Sequence, residues 1–495
     1  MPVAGTEKSL RRRERRPPGE ERSMRVVLVQ PRGRKLASEG KDIHSLACVL
    51  PPLGIASIAA VLRNEGHEVF VVDAALKWHL PNDVVAERIA ALRPDIVGFT
   101  ATTSGFNDAC DLCSRVRSRA RDARTVFGGV HASWGKDRIL RAVPEIDYVV
   151  AGEGEPAMKA LAGGEDPAGI KGLWYRDGTS ILSGPEQSAG IPPDDLPFPA
   201  YDLLPSFPGG YNLPIFGYPR RPGATVVSSR GCVYRCSFCD RSVFGKGFRY
   251  NSPEYTFELL RWLQRDFNVR HVHFYDDLFT LSRRRVARLC ELVRRSSLRM
   301  TFNCIVRVGH IDRDLTRELK SAGCWMVNVG IESGDQQMLD RHKSGITVET
   351  ITRDVELLHR EGLWVKGLFM MGFPGETPES IEASRELALG LPLKDINVTA
   401  FTPFPGAPIT SRIDELGTMD NDWDRMDCEH FVFVPHGIDS AEWLARERVR
   451  FIRDFYRRRS MRGVYAAMLW QSPHSYWRLL KRAGTFVSYA RDLSR

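Results

Sequence analysis

The sequence predicts an α/β protein built from more than one domain, and three observations support this prediction. The chain has 495 residues, which exceeds the roughly 250–300 residues at which a single core stops growing. Hydrophobic residues make up 43% of the chain and charged residues 26%, a composition typical of folded proteins. Short β-branched runs alternate with amphipathic stretches in two separate series, which is the pattern of parallel sheets covered by helices.

The first series occupies residues 24–158 and predicts a doubly wound, Rossmann-like domain. Its strands are apolar throughout and begin with RVVLVQP directly after Met24, which is therefore a candidate for the true start. Sheets of this class bind ligands beyond the carboxyl ends of their strands. The candidate ligand-binding residues in those positions are Thr102, Thr103, Ser104, Gly128, Gly129, His131, Gly152 and Glu153. Residues 1–23 have almost no large apolar side chain and predict a disordered, basic leader.

The second series occupies residues 223–435 and predicts a partial, TIM-like (β/α)6 barrel. Six βα units are fewer than the eight of a closed barrel, and functional groups are expected at the carboxyl ends of its strands. Between the two series, residues 159–222 contain a hairpin-like run and a proline-rich stretch, which predict a linker that wraps a surface. Residues 436–495 lack β alternation and predict a basic helical region.

The distribution of charge argues against nucleic acid as a partner. The formal net charge is +9, but residues 1–23 carry +3 and residues 441–495 carry +9, which leaves −3 for the body of the protein. The basic, aromatic carboxyl-terminal region suits a cap over the barrel, or surface contact with an acidic or lipid-like partner. No apolar run approaches the roughly 18 residues that span a bilayer, and the first residues lack the apolar core of a signal peptide. We therefore expect a cytoplasmic protein without a transmembrane segment.

The strongest chemical motif is GCVYRCSFCD, which directly follows the first strand of the second series. It places Cys232, Cys236 and Cys239 in a C-x3-C-x2-C run. Three thiolates at this spacing can bind three irons of a [4Fe-4S] cluster and leave the fourth iron open to another ligand. Structural zinc, the alternative, requires four closed ligands, and the sequence offers no fourth Cys or His nearby. Cys110 and Cys113 lie on one face of a predicted helix, which favours buried packing.

This motif resembles the hallmark of the radical S-adenosylmethionine (SAM) enzymes, with Phe238 in the aromatic position before the last cysteine. The resemblance implies that the open iron binds the methionine part of SAM, and that the reduced cluster cleaves SAM to methionine and a 5′-deoxyadenosyl radical. It also implies an external reductant such as flavodoxin or ferredoxin. The residues that would bind SAM are Phe238, Asp276, Asp277, Arg307, Glu332, Ser333, Met370 and Gly372. The two aspartates replace the Gly-Gly-Glu-like segment usual in the family, and which of them meets SAM stays open.

The first domain resembles the cobalamin-binding domain that is fused to one branch of this family. The segments PPLGIASIAAVLRNEGHEVFVVDA, DIVGFTATTSGF and VFGGVHAS carry the resemblance, which implies that cobalamin binds at the strand-end residues named above. The usual cobalt-binding pattern D-x-H-x-x-G is incomplete, because Ala47 follows Asp42 and His44 where glycine is expected. His44 is therefore a weak candidate for a cobalt ligand, and His131 a weaker one. A nicotinamide site is disfavoured because VQPRGRK lacks G-x-G-x-x-G.

Together the two resemblances imply a cobalamin-dependent radical SAM methyltransferase that acts on an unactivated carbon of a small molecule and consumes two SAM molecules per turnover. Two alternatives stay open. One is an oxygen-independent oxidative or ring-forming enzyme, similar to the anaerobic magnesium-protoporphyrin monomethyl ester cyclase. The other is a non-catalytic sensor that binds cobalamin or the cluster. Tyr275 and Asn328, near the barrel strand ends, are candidates to face the substrate.

Overall fold

The structure is a computed structural model that describes residues 23–33, 37–38, 41–42, 49–77, 79–187, 190–215, 217–343 and 345–481. Two large sheets dominate it, one in each predicted domain. The predicted leader lies outside the described residues except for Ser23. His44 and the end of the basic carboxyl-terminal region, residues 482–495, also lie outside them.

The first domain is built on a seven-stranded sheet. Its strands are β1 Arg25–Gln30, β2 Glu68–Asp73, β3 Ile96–Thr100, β4 Arg124–Gly128, β5 Tyr148–Val150, β6 Leu173–Asp177 and β7 Ser180–Ser183. They lie in the order β2-β1-β3-β4-β5-β6-β7, and β1 to β5 run parallel while β6 and β7 are antiparallel. Because the chain continues on the other side of β1 after β2, the sheet is doubly wound, as predicted.

Helices cover both faces of this sheet. They are α1 Leu53–Asn64, α2 Asn82–Ala91, α3 Phe106–Arg119, α4 Val130–Gly135, α5 Asp137–Ala142 and α6 Gly154–Ala162. Along β1, Val27 and Val29 face a core with α2 and α3, while Val26 and Leu28 face a core with α1 and α6. This alternation explains why the strand is apolar at every central position. Cys113 is buried in the first of these cores, as predicted for a packing cysteine.

The hairpin predicted inside the linker joins the first sheet. Tyr148 of β5 pairs with Tyr175 of β6 in antiparallel register. The sheet therefore continues to Ser183, beyond residue 159, where the sequence predicts that the linker begins. An isolated two-stranded hairpin is marginally stable at best in water, and β5 would otherwise present an unpaired edge. Pairing with β5 stabilises the hairpin and covers the edge of β5, and the largely exposed strand β7 becomes the edge of the sheet.

The second domain is an open parallel sheet. Its strands are β8 Gly223–Val226, β9 His271–Phe274, β10 Thr301–Val306, β11 Cys324–Glu332, β12 Trp364–Met371 and β13 Asp395–Ala400. They lie in sequential order, and no pairing in the described part of the chain joins β13 back to β8. The predicted partial barrel of six units is therefore confirmed.

Helices with clear start and stop signals follow the first five barrel strands. They are α7 Pro253–Phe267, α8 Arg283–Arg295, α9 Arg313–Ser321, α10 Gln336–His342, α11 Val348–Arg360 and α12 Pro378–Gly390. In α7, the Ser252 side chain accepts a hydrogen bond from the Tyr255 N–H, and Pro253 takes the first helical position. The helix ends at Asn268 with a φ of +53°. These are the residues that favour helix starts and left-handed helix ends.

The proline-rich segment joins the two domains. The Tyr211 hydroxyl donates to the Asp73 carboxylate at the end of β2, at 2.9 Å. The Tyr201 hydroxyl donates to the Thr225 carbonyl of β8, at 2.6 Å. Both tyrosines are buried, so the segment is anchored in each domain. Burial raises the pKa of Asp73 to about 6.

The carboxyl-terminal region is helical, as predicted. It consists of α13 Ala441–Arg457, α14 Arg459–Gln471 and α15 Pro473–Lys481. Phe451 and Phe455 of α13 are buried in the barrel core. The Ser472 hydroxyl donates to the Tyr218 carbonyl just before β8, at 2.8 Å, so α14 and α15 lie at the amino-terminal end of the barrel strands. No helix in the described ranges combines the length and apolarity that would let it cross a bilayer.

Short elements complete the fold. Two-stranded ribbons pair Ala37–Ser38 with Lys41–Asp42, Ser229–Arg230 with Arg249–Tyr250, and Gly417–Met419 with Phe433–Pro435. The 3-10 turns are Ala75–Lys77, Thr103–Gly105, Pro167–Gly169, Pro193–Asp195, Tyr201–Leu203, Pro408–Glu415 and Trp423–Arg425.

Candidate functional site

The three motif cysteines line one cavity at the carboxyl ends of the barrel strands. Cys232, Cys236 and Cys239 are free and half-buried, and the cavity has a volume of about 350 Å³. We call it the cluster cavity. Three predicted strand-end residues share it, namely Asp277 after β9, Arg307 after β10 and Glu332 at the end of β11. The barrel therefore brings together side chains that are far apart in the sequence, because parallel strands end at one rim.

The three thiols lie where they could share one iron–sulfur cluster. Within the described ranges, no group of three or more His, Cys, Asp or Glu side chains that could hold a metal ion is found. All three cysteines line the cluster cavity, and in a four-iron cluster each thiolate binds a different iron. Burial raises the pKa of Cys239 to about 12 and also raises that of Cys232. Burial therefore favours the protonated thiols, and the positive charge of bound iron would be needed to stabilise the thiolates.

The cysteine loop is shaped by close backbone packing. Gly231 has a φ of +84°, and a Cβ at this position would lie 2.2 Å from the Gly247 carbonyl oxygen. Only glycine avoids both the unfavourable dihedral and the clash. The Gly231 N–H donates to the Asp277 carboxylate at 2.8 Å. This hydrogen bond ties the start of the cysteine loop to the end of β9.

The structure separates the roles of the two aspartates after β9. Asp276 is completely buried and accepts hydrogen bonds from Ser228, Ser229 and Arg285. It does not line the cluster cavity, whereas Asp277 does. Loss of solvent raises the pKa of Asp277, and the neighbouring Asp276 charge adds to the rise. Asp276 therefore organises the loop from behind, and Asp277 is the carboxylate that a ligand in the cavity meets.

Glu332 occupies a strained position beside a buried lysine. Its φ is +66°, a conformation that is rare for residues other than glycine and common at functional sites. The Lys343 ammonium contacts the Glu332 carboxylate at 2.7 Å and donates to the Gly330 carbonyl at 2.5 Å. Lys343 also lines the cluster cavity. Sequence reasoning missed this lysine, because it lies in the loop after a helix and not at a strand end.

Arg307 is held by an aromatic side chain of the cysteine loop. Its guanidinium carbon lies 3.5 Å from the centre of the Tyr234 ring, which is a close cation–π contact. The Tyr234 hydroxyl in turn hydrogen-bonds to His310 Nε2 at 2.5 Å. The cationic group is thereby fixed at the wall of the cluster cavity.

The remaining predicted SAM residues differ in their position. Phe238 lines the cavity and packs on Phe373 with ring centres 5.5 Å apart, and Met370 belongs to the same apolar group. Ser333 is buried and hydrogen-bonded to Ser384 at 3.1 Å. The Gly372 N–H donates to the buried Glu376 carboxylate. Of these predicted residues only Phe238 is part of the cavity wall, and Ser333, Met370 and Gly372 lie behind it.

A second cavity lies at the carboxyl ends of the strands in the first domain. It has a volume of about 200 Å³ and is mainly apolar; we call it the glycine cavity. Gly128, Gly129 and Gly152 form part of its wall. A Cβ on Gly129 would lie 2.9 Å from the Ala101 carbonyl, while a Cβ on Gly128 would project into open space. Chain packing therefore requires glycine at position 129, while the missing side chain at Gly128 leaves room for a ligand close to the backbone.

The two cavities meet at the domain interface. Val243 and Phe244, in the loop after the cysteines, line both of them. The same two residues also line a third, more open cavity of about 930 Å³, which includes Gly152 and Glu153 of the first domain. Val130 of the first domain reaches into the cluster cavity. The ligand-binding edges of the two sheets thus face each other across one shared space.

A buried ion-pair network holds the two edges together. Arg230, two residues before Cys232, contacts the Glu153 carboxylate at 2.5 Å and the Glu155 carboxylate at 2.7 Å. Arg249 also pairs with Glu153. Burial is the largest single influence on the Glu155 carboxyl and raises its pKa, but the Arg230 charge and the hydrogen bonds from Arg230, Ser57 and the backbone together outweigh burial, so the net pKa lies below its usual value. The Glu153 side chain, which the sequence predicts to contact cobalamin, thus forms ion pairs with Arg230 and Arg249 of the second domain.

Comparisons with known proteins agree with this geometry. A family model of the B12 binding domain matches residues 42–162, and a model of the radical SAM superfamily matches residues 226–388. An uncharacterized methyltransferase of Pyrococcus horikoshii is 33% identical over 388 residues, which cover 77% of this chain and 82% of that protein. The chain belongs to the B12-binding radical SAM proteins.

Other relatives of this radical SAM protein include an anaerobic magnesium-protoporphyrin IX monomethyl ester cyclase of Rubrivivax gelatinosus. It is 27% identical over 445 residues, covering 87% of this chain and 77% of the cyclase. Among solved structures, the methyltransferase TsrM from Kitasatospora setae, with cobalamin and a [4Fe-4S] cluster bound, matches 80% of this chain and 75% of its own, with a TM-score of 0.65 and 22% identity. The enzyme OxsB, with aqua-cobalamin and SAM bound, matches 92% of this chain and 72% of its own. Its TM-score is 0.69 and its sequence identity is 16%. These two likenesses establish the shared fold.

Four of the predicted cobalamin residues of this radical SAM protein lie away from the three cavities. They are Thr102, Thr103, Ser104 and His131. The His131 ring is buried beside Phe106 and Trp423, and its Nδ1 contacts the Thr103 hydroxyl at 3.3 Å. Burial lowers the pKa of His131 to about 4. Side-chain direction, which the sequence does not reveal at a strand end, accounts for this difference.

Proposed function

We propose that this chain is a cobalamin-dependent radical SAM enzyme that methylates an unactivated carbon of a small molecule. One observation carries the proposal: the cluster cavity and the glycine cavity open onto a common space, with Val243 and Phe244 in the walls of both. A group held in one cavity is therefore close to a group held in the other. The space between the two domains is left for the substrate.

The chain's own residues fit the groups that this function needs. In the cluster cavity the three cysteines would bind three irons, Asp277 would accept hydrogen bonds from the SAM ammonium group, and Arg307 would pair with the SAM carboxylate. Glu332 would contact the ribose hydroxyls. When bound, the cluster would pass an electron from flavodoxin or ferredoxin to SAM, and cobalamin would supply the methyl group.

In the first domain, Gly128, Gly129 and Gly152 would let the cobalamin tail lie against the backbone. Val243 and Phe244 would cover the space between the cofactors and limit the entry of water. Exclusion of water protects a reactive intermediate from side reactions. Arg230 would keep the two binding edges in register through its pairs with Glu153 and Glu155.

The experiment uses the full chain, reconstituted anaerobically with cluster and cobalamin and supplied with a reductant and SAM carrying a deuterated methyl group. We expect release of 5′-deoxyadenosine and a small-molecule product that gains the label. Label-free product together with 5′-deoxyadenosine would favour the oxidative cyclase instead. An intact cluster spectrum with no 5′-deoxyadenosine would contradict both and favour a sensor.

Substitution of one cluster cysteine tests the metal site itself. Cys236→Ala is expected to abolish both the cluster absorption and SAM cleavage, because one iron loses its thiolate. Cys110→Ala is the matched control, since Cys110 is half-buried in α3 of the first domain. It is expected to retain both signals. Equal loss in the two variants would contradict the assignment of the motif cysteines.

A further inference from the structure

An exposed apolar surface lies on the last two described helices. Its side chains, with their exposed fractions, are Tyr465 at 37%, Leu469 at 53%, Trp470 at 89%, Trp477 at 60% and Leu480 at 69%. They make up five of the eight strongly exposed large apolar side chains in the part of the chain that the structure describes. We call this set the C-terminal apolar surface. Contiguous exposed apolar side chains mark interaction sites on folded proteins.

This surface is additional to the one that attaches α14 to the barrel. Met461, Val464 and Met468 of α14 are buried in the barrel core, at the spacing of one helix face. Leu469 and Trp470 project elsewhere and remain exposed. A helix that only capped the barrel would need one apolar face. The second face therefore indicates a partner outside the described chain.

The charged residues of α14 and α15 all have one sign. Residues 459–481 contain Arg459, Arg462, Arg478 and Lys481 and no Asp or Glu. The preceding helix α13 differs, since it mixes arginines with acidic residues that form ion pairs such as Arg450 with Glu447. Arg459 and Arg462 are exposed, whereas Arg478 is turned towards the barrel and donates to the Leu213 carbonyl at 2.9 Å. Helices that combine exposed Trp and Leu side chains with exposed cations and contain no acidic residue are typical of the interface of a lipid bilayer. A second copy of this surface would repel the first, because both carry positive charge.

The position of the surface keeps it independent of the candidate active site. The Trp325 ring N–H, near the start of β11, donates to Gln471 at the end of α14 at 3.1 Å. The helices therefore lie at the amino-terminal ends of the barrel strands, while the motif cysteines lie beyond the carboxyl ends. A bilayer that contacts the C-terminal apolar surface leaves the domain interface open.

We propose that the C-terminal apolar surface binds the surface of an anionic lipid bilayer. Trp470, Trp477 and Leu480 enter the headgroup region, and Arg459 and Arg462 approach the lipid phosphates. Buried Met461 and Met468 attach α14 to the barrel, and the Arg478 guanidinium attaches α15 through a hydrogen bond to the Leu213 carbonyl. Both helices are therefore held in place, so little ordering opposes binding. The contact holds the enzyme at the membrane without a helix that crosses it.

The test measures co-sedimentation of the full chain with vesicles of phosphatidylcholine, with and without phosphatidylglycerol. We expect binding to the phosphatidylglycerol vesicles that weakens with salt. W470Q/W477Q is expected to lower the partition coefficient by about tenfold or more, because two interfacial aromatic rings are lost. R459Q/R462Q is expected to lower the partition coefficient by roughly fivefold per arginine.

The matched controls are Leu182→Gln, an exposed apolar side chain on β7, and R284Q/R299Q on the barrel exterior. Both control variants are expected to bind like the wild type.

Five results would overturn the proposal. Four of them are absence of binding to both kinds of vesicle, equal binding with and without phosphatidylglycerol, unchanged binding by W470Q/W477Q, and a dimer that this variant dissociates in place of vesicle binding. Binding that appears only in a form ending at Lys481 would assign the surface to residues 482–495 and also overturn it. SAM cleavage is measured in parallel. Vesicle binding without SAM cleavage would leave this proposal standing and contradict the proposed function.

Discussion

The ion-pair network at the domain interface makes a quantitative prediction for Arg230→Met. The side chains of Arg230, Glu153 and Glu155 are 15%, 4% and 6% exposed, so the substitution leaves buried carboxylates behind. Removing one partner of a buried pair costs about 3–5 kcal/mol. Glu153 keeps Arg249, and Glu155 keeps a hydrogen bond from Ser57 at 2.7 Å. We therefore expect a loss near the lower end, about 3 kcal/mol at about pH 8.

The loss depends on pH in a defined direction. In the wild type the pKa of Glu155 lies below its usual value, so its ion pair contributes stability above that usual pKa and loses it as the pH falls. In Arg230→Met burial acts on Glu155 without the compensating charge and raises its pKa, so the carboxyl takes up a proton more readily. The difference between the two proteins therefore shrinks as the pH is lowered towards about 5.

Thermal unfolding of the full chain, followed by tryptophan fluorescence and calorimetry, measures both effects. A domain of 150–250 residues shifts its Tm by about 2–4 °C per kcal/mol, so we expect a fall of roughly 6–12 °C at the higher pH. R230M/E155Q is expected to recover part of it, because one uncompensated charge is gone. Arg288→Met is the control, since Arg288 and Glu254 are 46% and 56% exposed and such pairs contribute about 0–1 kcal/mol. A loss no larger than the control's, or one that is equal at both pH values, would refute the reasoning.

Two further predictions concern buried carboxyl groups. Asp276→Asn is expected to lower the free energy of unfolding by about 3–5 kcal/mol, because it leaves Arg285 buried without a counter-charge, whereas Asp277→Asn is expected to keep the stability and lower SAM cleavage by about ten- to a hundredfold. Urea unfolding and 5′-deoxyadenosine release distinguish the two variants. Equal stability of the two variants would refute the assignment of their roles. Burial raises the pKa of Glu376 from 4.5 to about 8, so the wild type loses stability as the pH rises between these values. The Glu376→Gln variant is therefore expected to be more stable than the wild type at about pH 8, and the two proteins are expected to be equally stable near about pH 4. Urea midpoints across that range test it, and a constant difference would contradict it.

The predictions that rest on local pattern agree with the structure. The apolar strands and amphipathic helices reveal two βα series, because the two periodicities differ along the chain itself. The cysteine motif reveals its chemistry for the same reason, since Cys232, Cys236 and Cys239 lie within eight residues. The local pattern predicts the hairpin at residues 173–183. It does not predict the pairing of the hairpin with β5, because that strand lies more than twenty residues earlier in the chain.

The candidate site divides in the same way. Asp276 and Asp277 are adjacent in the chain, and only tertiary contacts distinguish them: Asp276 pairs with Arg285 behind the loop, and Asp277 lines the cluster cavity. His131 follows two glycines at a strand end, yet it packs under Phe106. Lys343 gave no signal, because nothing in its neighbourhood marks it as a partner of Glu332.

The sequence by itself determined the two domains, the cluster motif and the family, since each depends on residues that are close together in the chain. The tertiary structure decided which strand-end side chains line the cavities, that Arg230 pairs with Glu153 and Glu155 across the domain interface, and that α14 has a second apolar face exposed. These features depend on side-chain direction and on contacts between distant segments. Periodicity specifies which face of an element is buried, but packing between elements decides what that face meets.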